Sequence, residues 1–284
     1  MKSRRWRNAG ARCGFSAAAI VLSGWPAAAE TASAWTADRP ETKSRLVAGV
    51  VAGTPLAAVE ITLAEGWKTY WRFPGDAGGV PPGFDWAKSE NVVSVKVLYP
   101  APKRMTDESG ITLGYKGGVV FPVEVVAKDA AKPVNLKLSL DYGICKEICI
   151  PVQAELVLEV PAGLTGAAPA SVVAALDHVP RAEAARRDGD PKLIKTEVML
   201  DVARPSIAVE AEFPGGADKA EAYVFSPSGV YIPMPKAATD LGGNRKRFEI
   251  DLTGAADPAD LKGKTAVVTL VSEHGLSEAT FKLE

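Results

Sequence analysis

The sequence predicts an all-β protein, built as an immunoglobulin-like β-sandwich followed by a second small β-sandwich. Two observations carry this prediction. Apolar residues alternate with polar ones at every second position, most clearly over residues 134–142 and 152–160, which is typical of strands with one buried face. The 26 glycines and 21 prolines separate these runs into short segments. About seven short strands divided by such turns are typical of an immunoglobulin-like sandwich.

The predicted strands fall into two groups along the chain. The first group covers residues 45–51, 58–63, 91–98, 119–126, 134–142 and 152–160. The second group covers residues 193–202, 206–213, 220–225, 247–252, 265–271 and 276–283. Between them, residues 161–190 are rich in alanine, glycine and charged residues, which predicts a linker with one short helix at 171–178. We therefore predict a first domain at 40–160 and a second at 191–284.

Residues 1–29 are typical of a bacterial secretory signal peptide. A basic region with five lysines and arginines precedes a short apolar core at 15–24, and small residues permit cleavage after Ala29. Cys13 lies in the basic region and would leave with the peptide. No later segment of the sequence has the roughly 20 apolar residues that a membrane helix needs. We expect a periplasmic mature chain without a membrane span, in a compartment where disulfides form.

Charge and motifs exclude several function classes. The formal net charge of −1 falls to −6 when the five basic residues of the leader are removed, and nucleic-acid binding would require a basic face. The sequence has no phosphate loop, dinucleotide fingerprint or nucleophile elbow. We therefore expect no nucleic-acid partner and no cofactor.

Cys145 and Cys149 are the cysteines that remain after export, and they lie between two alternating runs, at the tip of a predicted hairpin. Residues four apart in an extended strand are about 13 Å apart, whereas a disulfide needs Cα atoms within about 7 Å. Gly143 and Pro151 bracket the pair and favour a tight loop that closes this distance. The enclosed Lys146 would favour a thiolate, and Glu147 would oppose it.

Three roles are open for this cysteine pair: thiol–disulfide exchange, a static bridge, or metal binding. A ring of five residues stabilises the folded state by only about 2 kcal/mol on the loop-entropy estimate, which favours exchange over a static bridge. Two thiolates without a nearby histidine fall short of a typical metal site, so we predict none. The aromatic residues Trp67, Tyr70 and Trp71 could line a groove, but at least two of them are expected in the core.

Several short motifs in the first half combine into one pattern. They are GWKTYWR at 66–72, PGDAG at 74–78 with Pro81-Pro82, YPAP at 99–102, Gly114-Tyr115, FPV at 121–123 and the loop from Cys145 to Pro151. With these motifs, residues 40–160 resemble the N-terminal periplasmic domain of the thiol:disulfide interchange protein DsbD family, and more closely its ScsB-type relatives. The second half is similar to the region that comes after this domain in the ScsB-type proteins.

The resemblance implies a function. Cys145 and Cys149 would be a redox pair that takes electrons from a periplasmic thioredoxin-like protein or a membrane electron-transfer protein and passes them to oxidised periplasmic proteins. Such a component would act as a protein-disulfide reductase, in a family associated with cytochrome c biogenesis. The chain itself has no thioredoxin-like CxxC domain and no membrane carrier, so we expect the donor to be a separate protein.

The resemblance also implies a cap loop that shields the cysteines until a partner docks. Its counterpart is at residues 107–115, and the candidate residues are Asp107, Glu108, Ile111, Leu113 and Tyr115. This chain departs from the better-known members by having three residues between the cysteines instead of five. It also has Ser109-Gly110 where those members have an aromatic residue.

Two other functions stay open at this point. The first is a non-enzymatic module that binds envelope proteins and carries a structural disulfide. The second is an accessory protein for copper tolerance, suggested by the dithiol and by the kinship with the ScsB-type proteins.

Overall fold

The computed structural model describes residues 31–108, 110–255 and 257–284. The predicted signal peptide and Cys13 lie outside these residues. Over the described ranges, no helix is long and apolar enough to cross a membrane.

Twelve strands are described between residues 31 and 160, and they form two six-stranded antiparallel sheets. The strands are β1 (Thr31–Ala32), β2 (Thr36–Arg39), β3 (Thr42–Val51), β4 (Thr54–Leu63), β5 (Lys68–Tyr70), β6 (Gly83–Asp85), β7 (Val92–Val97), β8 (Lys103–Asp107), β9 (Gly110–Lys116), β10 (Gly118–Ala127), β11 (Val134–Cys145) and β12 (Cys149–Val160). One sheet has the order β1-β3-β4-β10-β7, with β2 beside β3. The other has the order β12-β11-β5-β9-β8, with β6 beside β11. We call this part the first sandwich.

The second sandwich pairs two four-stranded sheets within the described residues. Its strands are β13 (Arg181–Ala182), β14 (Lys192–Met199), β15 (Ser206–Glu212), β16 (Glu221–Phe225), β17 (Ala238–Gly242), β18 (Arg245–Asp251), β19 (Thr265–Val271) and β20 (Leu276–Lys282). The orders are β13-β20-β19-β16 and β14-β15-β18-β17. The short helix α2 (Pro258–Leu261) is capped at its N-terminus by Asp257, whose carboxylate accepts a hydrogen bond from the amide of Ala259.

Alternation along the strands explains the core of the first sandwich. On β11, Leu136, Leu138, Leu140 and Tyr142 are buried and face the interior, while the residues between them are half-buried or exposed. β12 continues the pattern, so the two strands form a hairpin whose register runs from Val134 opposite Val160 to Cys145 opposite Cys149. The all-β prediction with two sandwiches is confirmed.

The segment predicted as a linker is packed against both sandwiches. Helix α1 (Ala170–Asp177) lies on the first sandwich, where the buried Val172 contacts a cluster that contains Val47 and Ala58. Further along, β13 adds a parallel strand to the second sandwich. The helix lies within one residue of its prediction at either end, and the domain bounds at 40–160 and 191–284 stay predictions.

The two sandwiches share apolar contacts. Trp71 of the first packs edge-on against Tyr223 and Phe225 of the second, with ring centroids 5.9 and 5.6 Å apart. The guanidinium of Arg72 lies over the rings of Trp71 and Phe225 and pairs with Glu278. This interface begins directly after β5, the strand that borders the cysteine pair.

Candidate functional site

A disulfide joins Cys145 and Cys149 at the tip of the β11–β12 hairpin. Cys145 is the last residue of β11 and Cys149 the first of β12, and the two are directly opposed in the register. Residues 146–148 form the turn, in which the amide of Lys146 donates a hydrogen bond of 3.3 Å to the carbonyl of Ile148. The two Cα atoms lie 4.2 Å apart, below the upper limit of about 7 Å for a disulfide.

The two cysteines differ in their exposure to solvent. Cys145 is 8% exposed, because β5 pairs with β11 at this position. Cys149 is exposed, as are its neighbours in the turn, Lys146, Glu147 and Ile148. An incoming protein can therefore reach Cys149 first, while Cys145 stays behind it.

Tyr70 of β5 contacts the exposed Cys149 from the protein side. Its ring is buried, and its hydroxyl lies 3.1 Å from Sγ of Cys149. Burial raises the pKa of Tyr70 above its ordinary value of 10, and the carboxylate of Asp107 raises it further. The phenol therefore keeps its proton at neutral pH and can donate it in a hydrogen bond to the sulfur.

Lys68 places a cation beside the buried cysteine. It is the register partner of Cys145 on β5, so both side chains project from the same face of the sheet. Its ammonium group donates to Oδ2 of Asp107 at 2.8 Å and to the hydroxyl of Thr112 at 3.2 Å. Sequence reasoning missed Lys68, because the contact joins segments 77 residues apart and no local pattern marks it.

A cleft of about 430 Å³ lies beside the disulfide. Asp107, Glu108 and Glu147 contribute carboxylates to its lining, and Lys68 and Lys146 contribute ammonium groups. The predicted pair Asp107 and Glu108 is thus brought together with the predicted residues Lys146 and Glu147 around the two sulfurs.

The other cap candidates lie elsewhere. Leu113 and Tyr115 are buried in the core of the first sandwich, and the structure does not bring them to the two sulfurs. Residues 110–116 form strand β9 and not a loop, and a cap role for these residues stays a prediction. Ile111 is half-buried against the same core. The face of β9 toward the cleft carries Thr112 instead.

At least two residues of the aromatic motif are buried, as predicted. Tyr70 and Trp71 are buried, whereas Trp67 is half-buried against the core.

Among the described residues, no group of three or more His, Cys, Asp and Glu side chains is placed to hold a metal ion.

Comparisons with known proteins agree with this architecture. Residues 37–161 match the family described as thiol:disulfide interchange protein DsbD, N-terminal. The fold is similar to the crystal structure of the N-terminal periplasmic domain of ScsB from Proteus mirabilis, with a TM-score of 0.65 and 22% sequence identity. That similarity covers 89% of this chain and 98% of the other. A sequence comparison with curated proteins gives no match. The resemblance inferred from the motifs is confirmed.

Proposed function

We propose that this protein is a periplasmic thiol–disulfide exchange protein whose redox-active groups are Cys145 and Cys149. The observation that carries the proposal is the disulfide at the exposed hairpin tip, with one accessible and one buried cysteine. The match of residues 37–161 to an interchange family supports the same chemistry.

The exchange runs in two steps. In the reduced protein, the thiolate of Cys149 attacks one sulfur of a substrate disulfide, and a mixed disulfide forms as the other substrate sulfur leaves as a thiolate. Cys145 then attacks Sγ of Cys149, and the second substrate sulfur leaves. Two electrons have passed to the substrate, and the Cys145–Cys149 bridge has re-formed.

The surroundings suit each cysteine to its step. Cys149 is exposed, so a folded substrate can reach it, and the Tyr70 hydroxyl stabilises its thiolate by a hydrogen bond. Cys145 is shielded from other proteins and is the register partner of Lys68 on β5, whose positive charge favours its thiolate. This division of labour makes Cys149 the entry point and Cys145 the resolving thiol.

A purely structural bridge has little to stabilise at this position. The hairpin is already held by a continuous register between β11 and β12, and its inward residues are in the core. Closing a five-residue ring adds only about 2 kcal/mol on the loop-entropy estimate. The disulfide is therefore better suited to thiol–disulfide exchange than to a purely structural role.

The donor would be a thioredoxin-like or membrane-linked protein with a dithiol, and the acceptors would be oxidised envelope proteins. Ile148 in the turn is 67% exposed and lies next to Cys149. An exposed apolar side chain beside the reacting sulfur gives such partners a contact that carries no charge.

The experiment that tests the proposal measures the reduction potential of the Cys145–Cys149 pair and traps mixed disulfides. A potential above about −300 mV is expected of an exchanging couple. A Cys145→Ser variant, which lacks the resolving thiol, is expected to accumulate a mixed disulfide through Cys149, and the double Cys→Ser variant serves as the control. A potential well below that value, with no trapped adduct, would establish a static bridge.

A further inference from the structure

Asp76 connects the first sandwich to a loop of the second. Its Oδ1 accepts a hydrogen bond of 2.7 Å from the Tyr231 hydroxyl and one of 2.9 Å from the backbone amide of Met234. Tyr231 and Met234 belong to the loop at residues 226–237, which joins β16 to β17. One carboxylate is thus held by two donors from the other sandwich.

The loop at 226–237 is itself anchored on both sides. Ile232 is buried in the core of the second sandwich, and Met234 is buried in the core cluster of the first. The ring of Tyr231 also packs against Phe73, with centroids 6.2 Å apart. The loop therefore presents its two donors from a fixed position.

Asp76 lies in the middle of residues 74–80, which we call the wall segment. The carbonyl of Pro74 accepts from the amide of Leu113 at 2.8 Å, the amide of Ala77 donates to Ile111 at 3.0 Å, and the carbonyl of Val80 accepts from Gly143 at 3.0 Å. Ala77 and Gly78 line the cleft beside the disulfide.

The wall segment also packs against the tyrosine that contacts the disulfide. At Gly79 the backbone is so close to the Tyr70 ring that a Cβ atom would clash with it. The hydroxyl of that ring is the group that lies on Sγ of Cys149. Contacts therefore run from the second sandwich through Asp76 and the wall segment to the reacting sulfur.

We propose that the second sandwich is a positioning module for the redox site, acting through Asp76 and Tyr231. By holding the wall segment in place, the second sandwich keeps the Tyr70 ring against Cys149 and closes the side of the cleft that the wall segment lines. The inference rests on the proposed exchange function and deepens it by assigning a role to the second sandwich.

The composition of the wall segment explains why it needs this support. Gly75, Gly78 and Gly79 all have positive φ angles, and glycine loses more conformational freedom on ordering than any other residue. A segment with three such residues stays in one conformation only when contacts outweigh that entropy. The side-chain contacts of Asp76 supply two of them.

The test compares the rates at which dithiothreitol reduces the bridge in the oxidised full-length chain. One dithiothreitol thiolate attacks Sγ of Cys149, and Cys145 leaves as a thiolate that takes a proton from water. The second dithiothreitol thiol then resolves the mixed disulfide, so the reagent ends as its cyclic disulfide and both cysteines end as thiols. Because Cys149 is already exposed on its outer side, a change in the rate constant reports how tightly the Tyr70 ring and the wall segment cover its other side.

We expect the rate constant to rise about threefold to tenfold in Asp76→Ala, as lost hydrogen bonds of this kind imply. Tyr231→Phe keeps the ring contact and should give a smaller rise, and Asp76→Asn, which retains an acceptor oxygen, should stay near wild type. Lys236→Ala is the matched control, because Lys236 lies in the same loop but pairs with Asp251. Faster amide exchange at Gly143 should accompany the rise.

Equal rate constants in wild type and Asp76→Ala, or an equal rise in Lys236→Ala, would overturn this inference alone. If Asp76→Ala does not fold, Tyr231→Phe decides in the same way, since it removes a single hydroxyl. A wild-type bridge that dithiothreitol cannot reduce in the folded protein would overturn the proposed function and this inference together.

Discussion

The hydroxyl of Tyr70 lies 3.1 Å from Sγ of Cys149, although the two residues are 79 positions apart in the chain. Strand β5 makes this possible by inserting between β11 and β9. The phenol brings a polar group to the exposed sulfur from the protein side.

Removing this hydroxyl should make the thiolate of Cys149 less stable relative to the thiol. In reduced Tyr70→Phe the ring still fills its space, but the hydrogen bond to the sulfur is lost, and the pKa of the Cys149 thiol should rise by about one unit, the size of a hydrogen bond to a charged group. The pH dependence of iodoacetamide alkylation, followed in a Cys145→Ser background, measures it. Tyr99→Phe is the control, since that hydroxyl bonds to Pro82. An unchanged pH profile would rule out the assigned role of Tyr70.

Replacing Lys68 by methionine should make the disulfide harder to reduce. The ammonium group favours the thiolate form of the reduced protein, so its loss destabilises that form relative to the disulfide. We expect the reduction potential to fall by about 10–30 mV. Lys146→Met, which removes an exposed and well-screened charge, should shift it less. A rise in the potential of Lys68→Met would contradict the electrostatic argument.

Two neighbouring glycines provide a matched pair for stability. In Gly79→Ala the new methyl group clashes with the Tyr70 ring, whereas at Gly78 the added Cβ meets open space, and both residues have positive φ. Gly79→Ala should therefore lower the free energy of unfolding by about 1–3 kcal/mol more than Gly78→Ala does. Urea unfolding measures both. Equal losses would mean that the contact between Gly79 and the ring is loose.

Stability should decrease in alkaline solution. Burial raises the pKa of Tyr115 well above its ordinary value of 10, and burial also raises that of Tyr99. The unfolded chain loses these protons near pH 10 while the folded chain keeps them, so their stabilising contribution is complete below pH 10 and is lost as the pH rises further. The slope is up to about 1.4 kcal/mol per pH unit for each tyrosine. Tyr115→Phe should show a shallower decline in urea unfolding between pH 10 and 11. An identical slope would exclude Tyr115 as a source.

The sequence predicted the strands with a clear alternation well and missed several strands that lack it. Residues 134–142 and 152–160 alternate over many positions, and that signal depends only on one buried face. Strand β5 has three residues, all buried, so it shows no alternation. Strand β9 contains Gly110 and Gly114, and its position is determined by hydrogen bonding to β5 and β8.

The site was predictable to the extent that it is local. The hairpin tip with Cys145 and Cys149 could be inferred from the two alternating runs that flank it. The groups around the sulfurs, Lys68 and Tyr70, come from a strand far away in sequence. Their approach depends on the strand order of the sheet, which one sequence does not specify.

The shared apolar contacts have a practical consequence for anyone who isolates the halves. A fragment that ends after β12 would leave Trp71 facing water where Tyr223 and Phe225 now cover it, and the space filled by Met234 would be empty. Bared aromatic surface of this kind favours self-association. Such a fragment should self-associate through the surface next to the strand that supports the cysteine pair. Its redox behaviour would therefore not represent that of the intact chain.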